Sequence, residues 1–170
     1  MNTTRHTLSA LVENKPGVLN RVANMFRRRA FNIESIAVGP SEIPGLSRMT
    51  IVVDGTAMAV EQVRKQLDKI IEVVKITEVA DPNPVARELA LIKVKTTPAN
   101  RSEIIQLADI FRANIVDVAS DSLIVEVTGD RDKVNSLIEL YRAFGILELA
   151  RTGCVALPRG EIKTKGGKVG

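Results

Sequence analysis

The segment 13–19 contains the residue types of a small-anion site. Pro16 and Gly17 stand directly before an apolar pattern of helical spacing, which predicts a loop opening into a helix. Pro16 suits the first helical position because the amide that it lacks would be unpaired there. Gly17 lets another molecule approach the main chain, so the free amides and the helix dipole could bind one carboxylate. An ordinary strand-to-helix turn is the alternative interpretation.

Two elements must position this loop. Before it, residues 7–12 place Leu8, Ala10 and Val12 on one face, which predicts a half-buried strand. After it, apolar residues recur at helical spacing; they are Val18, Leu19, Val22, Met25 and Phe26. Arg27, Arg28 and Arg29 are predicted to end this helix, either as cations that complement its dipole or as a contact for an acidic partner.

The rest of the chain predicts the order β-α-β-β-α-β twice. In the first copy the further strands are 32–38, 46–53 and 72–80, and the second helix carries Val60, Val63, Leu67, Ile70 and Ile71. In the second copy the strands are 89–96, 115–119, 123–128 and 146–157, and two helical stripes lie between them. We therefore predict an α+β fold of two ferredoxin-like βαββαβ modules in tandem. The predicted divisions are 5–80, a linker 81–84, 85–158 and a flexible basic tail 159–170.

The two copies share short signatures and differ at the candidate loop. Asn32-Ile33 and Asn114-Ile115 open equivalent strands, and Phe26-Arg27 and Phe111-Arg112 are predicted to close equivalent helices. The second loop keeps a proline, Pro98, without a following glycine. We therefore expect the ligand site in the first copy, and a ligand for the second copy stays an open question.

Composition argues against several classes of protein. The net charge of +4 lies largely in the tail from residue 159 onward, and aromatic residues make up 3% of the 170 residues, so nucleic-acid binding is disfavoured. No apolar run is long enough for a membrane span. One cysteine, Cys154, gives no disulfide framework or metal cluster and fits a reducing cytoplasm. His6, the only histidine, has no second histidine with which to complete a metal site or a triad.

Three motifs together carry a family resemblance. They are Asn14-x-Pro16-Gly17-x-Leu19, Asn32-Ile33-Glu34-Ser35 and Ser47-Arg48-Met49-Thr50. The first two resemble the ACT domain, an amino-acid-sensing module. With the third, residues 5–160 resemble the regulatory small subunits of acetohydroxyacid synthase, also called acetolactate synthase.

The resemblance implies a chain without catalytic residues or cofactors of its own. Such a chain is the regulatory subunit of a cytoplasmic transferase in valine, isoleucine and leucine biosynthesis. It binds and activates a catalytic large subunit that carries thiamine diphosphate, magnesium and FAD. It also confers feedback inhibition by valine, which binds where two copies of the chain pair through their ACT domains.

The resemblance also implies the residues of the valine site. They are Asn14, Lys15, Pro16, Gly17, Val18, Leu19, Asn32, Ile33, Glu34 and Ser35. Gly17 and Val18 would donate amides to the ligand carboxylate. Asn14 either contacts the ligand or caps the turn, and Asn32 either accepts from the ligand ammonium in a facing subunit or is a plain turn residue. Leu19 and Ile33 either wall an aliphatic pocket or belong to the core.

Other functions remain as alternatives. A free-standing ACT sensor could regulate another enzyme or a transporter. The same element order occurs in RNA-recognition domains, but strands 7–12 and 46–53 lack the aromatic residues that stack on bases. An enzyme in its own right is disfavoured, because no nucleophile–base pair or metal-ligand cluster emerges from the residue pattern.

Overall fold

The computed structural model describes residues 4–79 and 84–160. It divides the chain into two compact units, residues 1–85 with 155–170 and residues 86–154. Of the predicted linker 81–84, only Pro84 is among the described residues, and the predicted tail lies outside them beyond Gly160. The predicted domain boundaries therefore stay a prediction.

The first unit follows the order β-α-β-β-α-β. Its elements are β1 (Thr4–Glu13), α1 (Val18–Arg28), β2 (Ile33–Pro40), β3 (Leu46–Gly55), α2 (Ala57–Leu67) and β4 (Val73–Glu78). The strands form one antiparallel sheet in the order β2-β3-β1-β4. Leu8, Ala10 and Val12 pack with Val22 and Phe26 of α1 in the core, as their alternation predicted.

The second unit repeats this arrangement. Its elements are β5 (Val85–Lys95), α3 (Arg101–Ile110), β6 (Asn114–Val118), β7 (Ser122–Gly129), α4 (Arg131–Arg142) and β8 (Ile146–Arg151). The short strand β9 (Val155–Leu157) follows along the chain and is counted with the first unit. Strands β6, β7, β5 and β8 are neighbours in that order, which matches the first sheet. The predicted α+β class with two ferredoxin-like βαββαβ modules is confirmed.

Of the four helices within 4–79 and 84–160, two begin with a side-chain cap. Thr56 accepts a hydrogen bond from the Ala59 amide at 3.3 Å, and Asp130 accepts one from the Lys133 amide at 2.9 Å. These caps satisfy amides that have no partner within the helix.

Several element boundaries differ from the predictions, including the following three. The single strand predicted over 146–157 is wrong, because the chain leaves the sheet at 152–154, where Gly153 has a φ of +80°. Helix α2 ends at Leu67, so Ile71 is not part of its apolar face and is 89% exposed. The strand predicted over 72–80 covers Val73–Glu78, and Ala80 lies outside the described residues.

The equivalence of Phe26-Arg27 with Phe111-Arg112 is also wrong. Phe26 lies inside α1, whereas Phe111 follows the last residue of α3. The backbone shows the true correspondence, because the Phe31 amide donates to the Phe26 carbonyl at 3.1 Å and the Ala113 amide donates to the Ala108 carbonyl at 2.8 Å. Phe26 therefore matches Ala108. The offset agrees with the predicted pairing of Asn32-Ile33 with Asn114-Ile115.

Both helix ends use a residue in left-handed backbone. Ala30 has a φ of 56° and Arg112 a φ of 51°, at matching places after α1 and α3. A left-handed residue with a hydrogen bond that spans five residues is the usual way to stop a helix, and glycine is the usual residue there. The two copies share this stop without glycine.

Two buried polar groups fix the second unit. The Tyr141 hydroxyl is buried and donates to the Ile104 carbonyl at 3.0 Å, and burial raises the pKa of Tyr141 to about 12. The guanidinium of Arg151 donates to both carboxylate oxygens of Glu88, whose side chain is 7% exposed, and to Asn135 Oδ1 at 2.9 Å. Hydrogen bonding to Glu88 raises the pKa of Arg151.

Candidate functional site

Main-chain hydrogen bonds fix the end of β1, where the candidate loop begins. The Glu13 amide donates to the Glu72 carbonyl at 2.8 Å, and the Asn14 amide donates to the Gly45 carbonyl at 2.9 Å. The loop therefore starts between the turn after β2 and the start of β4. Residues 14–17 are exposed.

The structure corrects the predicted start of the helix. Pro16 is not the first helical residue, because α1 begins at Val18 and Gly17 is its N-cap. Gly17 has a φ of 86° and a ψ of −11°, which is left-handed backbone, so the helix cannot extend back from Val18 to Pro16. A Cβ at Gly17 would meet no atom within 4 Å. The space in front of the main chain is open, as an approaching ligand would need.

The first turn of α1 offers amides without a side-chain cap. Gly17 supplies no cap, and the first turn carries no acidic residue, in contrast to the caps at Thr56 and Asp130. The Val18 amide makes only a long contact of 3.4 Å with the Lys15 carbonyl. Amides of a first helical turn have no partner within the helix. Together with the positive end of the dipole, they can bind a carboxylate.

Lys15 is turned toward the strand end. Its Nζ lies 2.6 Å from Glu13 Oε2, and both side chains are partly exposed. Hydrogen bonding to Glu13 raises the pKa of Lys15 above its ordinary value. Lys15 therefore adds a positive charge beside the loop, and this charge is already paired with the Glu13 carboxylate.

Leu19 and Ile33 have different surroundings. Leu19 is 48% exposed, although Val18 beside it is buried in the core. The core interpretation of Leu19 is therefore wrong, and its side chain is available to line a pocket. Ile33 is partly buried and packs against the core of the first unit, as its alternative interpretation held.

An ion pair beside the loop has no counterpart in any sequence pattern. Arg21 of α1 donates to Oε1 of Glu72, 51 residues further along the chain, and the two side chains are 63% and 15% exposed. The Glu72 Oε2 atom is buried without a hydrogen-bond partner in the described part of the chain. The pair ties the first turns of α1 to the start of β4. Only the fold brings two such distant positions together.

The structure does not bring the residues 32–35 to the loop. Ile33 pairs with Val53, which pairs with His6, whereas the loop begins after Glu13 at the other end of β1. At about 3.4 Å per residue, this separation along the strands is roughly 24 Å. Asn32 is exposed, and Glu34 Oε2 accepts from Arg5 Nε at 2.7 Å. Within one chain, the predicted site residues therefore form two separate groups.

In the equivalent loop of the second unit, polar side chains hydrogen-bond to main-chain groups of the same unit. Asn100 Oδ1 accepts from the Thr97 amide at 2.7 Å. The Arg101 guanidinium donates to the carbonyls of Ala119 and Ser120, each at 2.8 Å. This loop has no left-handed glycine like Gly17, and its side chains bond to the chain itself.

No group of three or more His, Cys, Asp or Glu side chains that could hold a metal ion occurs over 4–79 and 84–160. Among the same residues, no helix is both long enough and apolar enough to cross a membrane.

Comparison with known proteins covers both units. Residues 8–75 match the family described as AHAS small subunit-like ACT domain, and residues 87–160 match the family described as small subunit of acetolactate synthase. A probable acetolactate synthase small subunit from Archaeoglobus fulgidus is 59% identical over 94% of this chain and 99% of its own length. The acetolactate synthase small subunit of Mycobacterium bovis is 52% identical over 94% and 95%.

A solved structure supports the same assignment. The crystal structure of the acetolactate synthase small subunit from Thermotoga maritima has a TM-score of 0.87 and 49% identity over 94% of this chain and 99% of that one. The two family matches, over 8–75 and 87–160, include most of both units. The chain belongs to the family of acetolactate synthase small subunits.

Proposed function

We propose that this chain is the regulatory subunit of acetolactate synthase in branched-chain amino acid biosynthesis. It binds and activates a cytoplasmic catalytic large subunit, which carries thiamine diphosphate, magnesium and FAD, and it confers feedback inhibition by valine. The chain itself contributes regulation and no catalytic group. The membership of the family and the open, uncapped start of α1 support this proposal.

One observation carries the proposed site: the loop 14–19 and the segment 32–35 lie at opposite ends of one sheet. A ligand that contacts both must therefore bind between two chains. Strand β2 lies at the edge of its sheet, next to β3 only. If two β2 strands pair antiparallel, the start of each lies level with the end of the other. Asn32 of one chain then faces the end of the sheet at which the partner's loop lies.

Each part of valine has a matching group in this arrangement. The first-turn amides of α1 receive the carboxylate, and the oxygen of Asn14 or Asn32 accepts from the ammonium group. Leu19 and Ile33 contact the aliphatic side chain. Charge-assisted hydrogen bonds contribute about 1.5–3 kcal/mol each. Three or four of them, less the ordering cost, give roughly −4 to −8 kcal/mol, which is millimolar to micromolar affinity.

Valine would then act as a differential ligand. Because it contacts two chains, it stabilises the paired arrangement in which both halves of the site meet. If this arrangement activates the catalytic subunit less, valine lowers the activity by shifting the equilibrium toward it. The difference in the binding free energy of valine between the two arrangements limits that shift.

Two measurements test the proposal. Calorimetry of the purified chain with valine should give saturable heat, with alanine and glutamate as controls. Reconstitution with an acetolactate synthase large subunit should raise its activity, and valine should reverse that increase. A chain that neither activates the large subunit nor responds to valine in the reconstituted enzyme would refute the assignment. Valine binding without any effect on the large subunit would favour a sensor of another enzyme or transporter.

A further inference from the structure

A groove in the first unit is lined mainly by basic and amide side chains. Its volume is about 550 Å³, and its lining residues are Arg29, Gln62, Lys65, Gln66, Asp68 and Lys69. Arg29 is the C-cap of α1, and the others belong to α2 or to the residues that follow it. Three cations and one carboxylate therefore surround a space that is open to solvent.

The cations of the groove are poorly neutralised by the chain. Lys65 lies 3.7 Å from Glu61, which Arg64 already holds at 2.7 Å. Within residues 4–79 and 84–160, Arg29 and Lys69 have no ion pair. The groove thus presents positive charge and side-chain amides to whatever approaches it.

The helix dipole does not account for this concentration of charge. Cations in the last turn of a helix are stabilised by its dipole, and the effect falls off within that turn. Arg27 and Arg28 already occupy the last turn of α1. Arg29 and Lys69 are further cations on the same groove, and like charges close together repel one another. An anionic partner would relieve this repulsion.

The groove is connected to the candidate site through a short, hydrogen-bonded turn. Only Ala30 and Phe31 separate Arg29 from Asn32, and their amides donate to the carbonyls of Arg27 and Phe26 at 3.2 and 3.1 Å. This turn gives a displacement of Asn32 on ligand binding a short main-chain route to Arg29. This connection fits a contact through which regulation passes to another protein.

We infer that this groove binds an acidic surface segment of the catalytic large subunit. The inference rests on the proposed function and names the surface that would carry it. Carboxylates of the partner pair with Arg29, Lys65 and Lys69, and its main-chain carbonyls accept from Gln62 and Gln66. A nucleic acid fits less well, because the lining contains no aromatic side chain for stacking.

The test compares two double variants with equal change in net charge. K65E/K69E reverses two charges of the groove, and R87E/R142E reverses two exposed charges of the second unit, outside it. The measured quantity is the concentration of chain that half-maximally activates the large subunit, at low and at moderate salt. We expect about a tenfold rise for K65E/K69E and no more than about twofold for R87E/R142E. The salt dependence should also become weaker in K65E/K69E.

Further measurements distinguish a failure of the proposed function from a failure of this inference. Circular dichroism and valine calorimetry should be unchanged in K65E/K69E, because the substituted side chains lie on the surface. An unmodified chain that does not activate the large subunit would refute the proposed function and this inference together. Unmodified activation with an unchanged half-maximal concentration for K65E/K69E would refute the inference alone. Calorimetric uptake of inorganic pyrophosphate, lost in K65E/K69E while subunit affinity is unchanged, would overturn it in favour of a small anion.

Discussion

Asn14 and Asn32 lie at opposite ends of one four-stranded sheet. The register places Ile33 beside Val53 and thus level with His6, whereas Asn14 follows the last residue of β1. Both amide side chains are exposed, so neither is required by the core. If both contact one amino acid, they must come from different chains.

We expect a complementation between two defective chains. Asn32→Ala should weaken valine inhibition with the fold intact, because Asn32 is exposed and outside the core. A mixed dimer of Asn32→Ala with Gly17→Asp contains one site with both native residues and one site with both substitutions. After unfolding and refolding the two variants together, valine binding should return to about half of the sites in mixed dimers. Calorimetry of the mixture measures this recovery.

The same mixture can disprove the arrangement. If each chain holds a complete site, mixing will restore nothing beyond what the separate variants bind. An Asn32→Ala chain that fails to fold, as judged by circular dichroism, would show instead that Asn32 has a structural role in the turn before β2.

Gly17→Asp should abolish valine inhibition while activation of the large subunit largely survives. A Cβ at Gly17 meets no atom within 4 Å, so the substitution begins in open space. It places a carboxylate where the ligand carboxylate would bind, and the φ of 86° adds strain of roughly 1 kcal/mol. The inhibition curve of the reconstituted enzyme measures the effect.

The matched control for this substitution is Gly17→Asn. Asparagine has nearly the same shape as aspartate, tolerates left-handed backbone and carries no charge. We expect the asparagine variant to bind valine more weakly than the unmodified chain but far better than the aspartate variant. Equal losses in both would assign the effect to size or backbone, and unchanged inhibition in both would remove Gly17 from the site.

Tyr141 gives the protein a pH dependence that can be followed directly. Its pKa is about 12 in the folded chain, above the ordinary value of 10.0, because burial disfavours the phenolate. The unfolded chain therefore loses this proton first, and the free energy of unfolding should fall as the pH rises from about 10 to 12. Tyr141 is the only tyrosine, and the chain has no tryptophan, so phenolate absorbance reports on this group alone.

The comparison variant is Tyr141→Phe. It removes both the titration and the hydrogen bond to the Ile104 carbonyl, so we expect a loss of about 1–2 kcal/mol at neutral pH. Its stability should then fall less steeply above pH 10 than that of the unmodified chain. A phenolate that appears at the ordinary pKa without unfolding would contradict the buried position of the hydroxyl.

Glycine at the two helix stops should stabilise the chain. Ala30 and Arg112 both hold left-handed backbone, which costs a non-glycine residue roughly 1 kcal/mol. Ala30→Gly and Arg112→Gly should therefore each raise the free energy of unfolding in urea by up to about 1 kcal/mol. Gln106→Gly, at an exposed position inside α3, should lower it by a similar amount. A loss in all three variants would show that the left-handed positions carry no strain.

The sequence predicts the fold better than the details of the loops. Alternation in Leu8, Ala10 and Val12 leads directly to the buried face of β1, since side chains alternate along every strand. The start of α1 could not be derived in this way. The sequence Pro16-Gly17-Val18 is consistent both with a helix that begins at Pro16 and with one that begins at Val18 after a left-handed Gly17. The break at 152–154 was missed for a similar reason, since apolar residues flank it on both sides.

The geometry of the candidate site could be predicted only in part. The Pro16-Gly17 pair points to the loop, because both residue types have specific backbone roles at helix starts. The separation of Asn32 from the loop depends on strand order and register, which short motifs do not encode. The Arg21–Glu72 pair joins positions 51 residues apart and has no local pattern at all.

The pair of Arg151 and Glu88 has a consequence for the behaviour of the chain at different temperatures. Removing two charges from water costs less as the temperature rises, because their hydration becomes less favourable. The cost of desolvating a partly buried, bidentate pair of this kind therefore opposes folding less in hot solution than in cold. Its net contribution should grow on heating, at temperatures where hydrophobic stabilisation has levelled off.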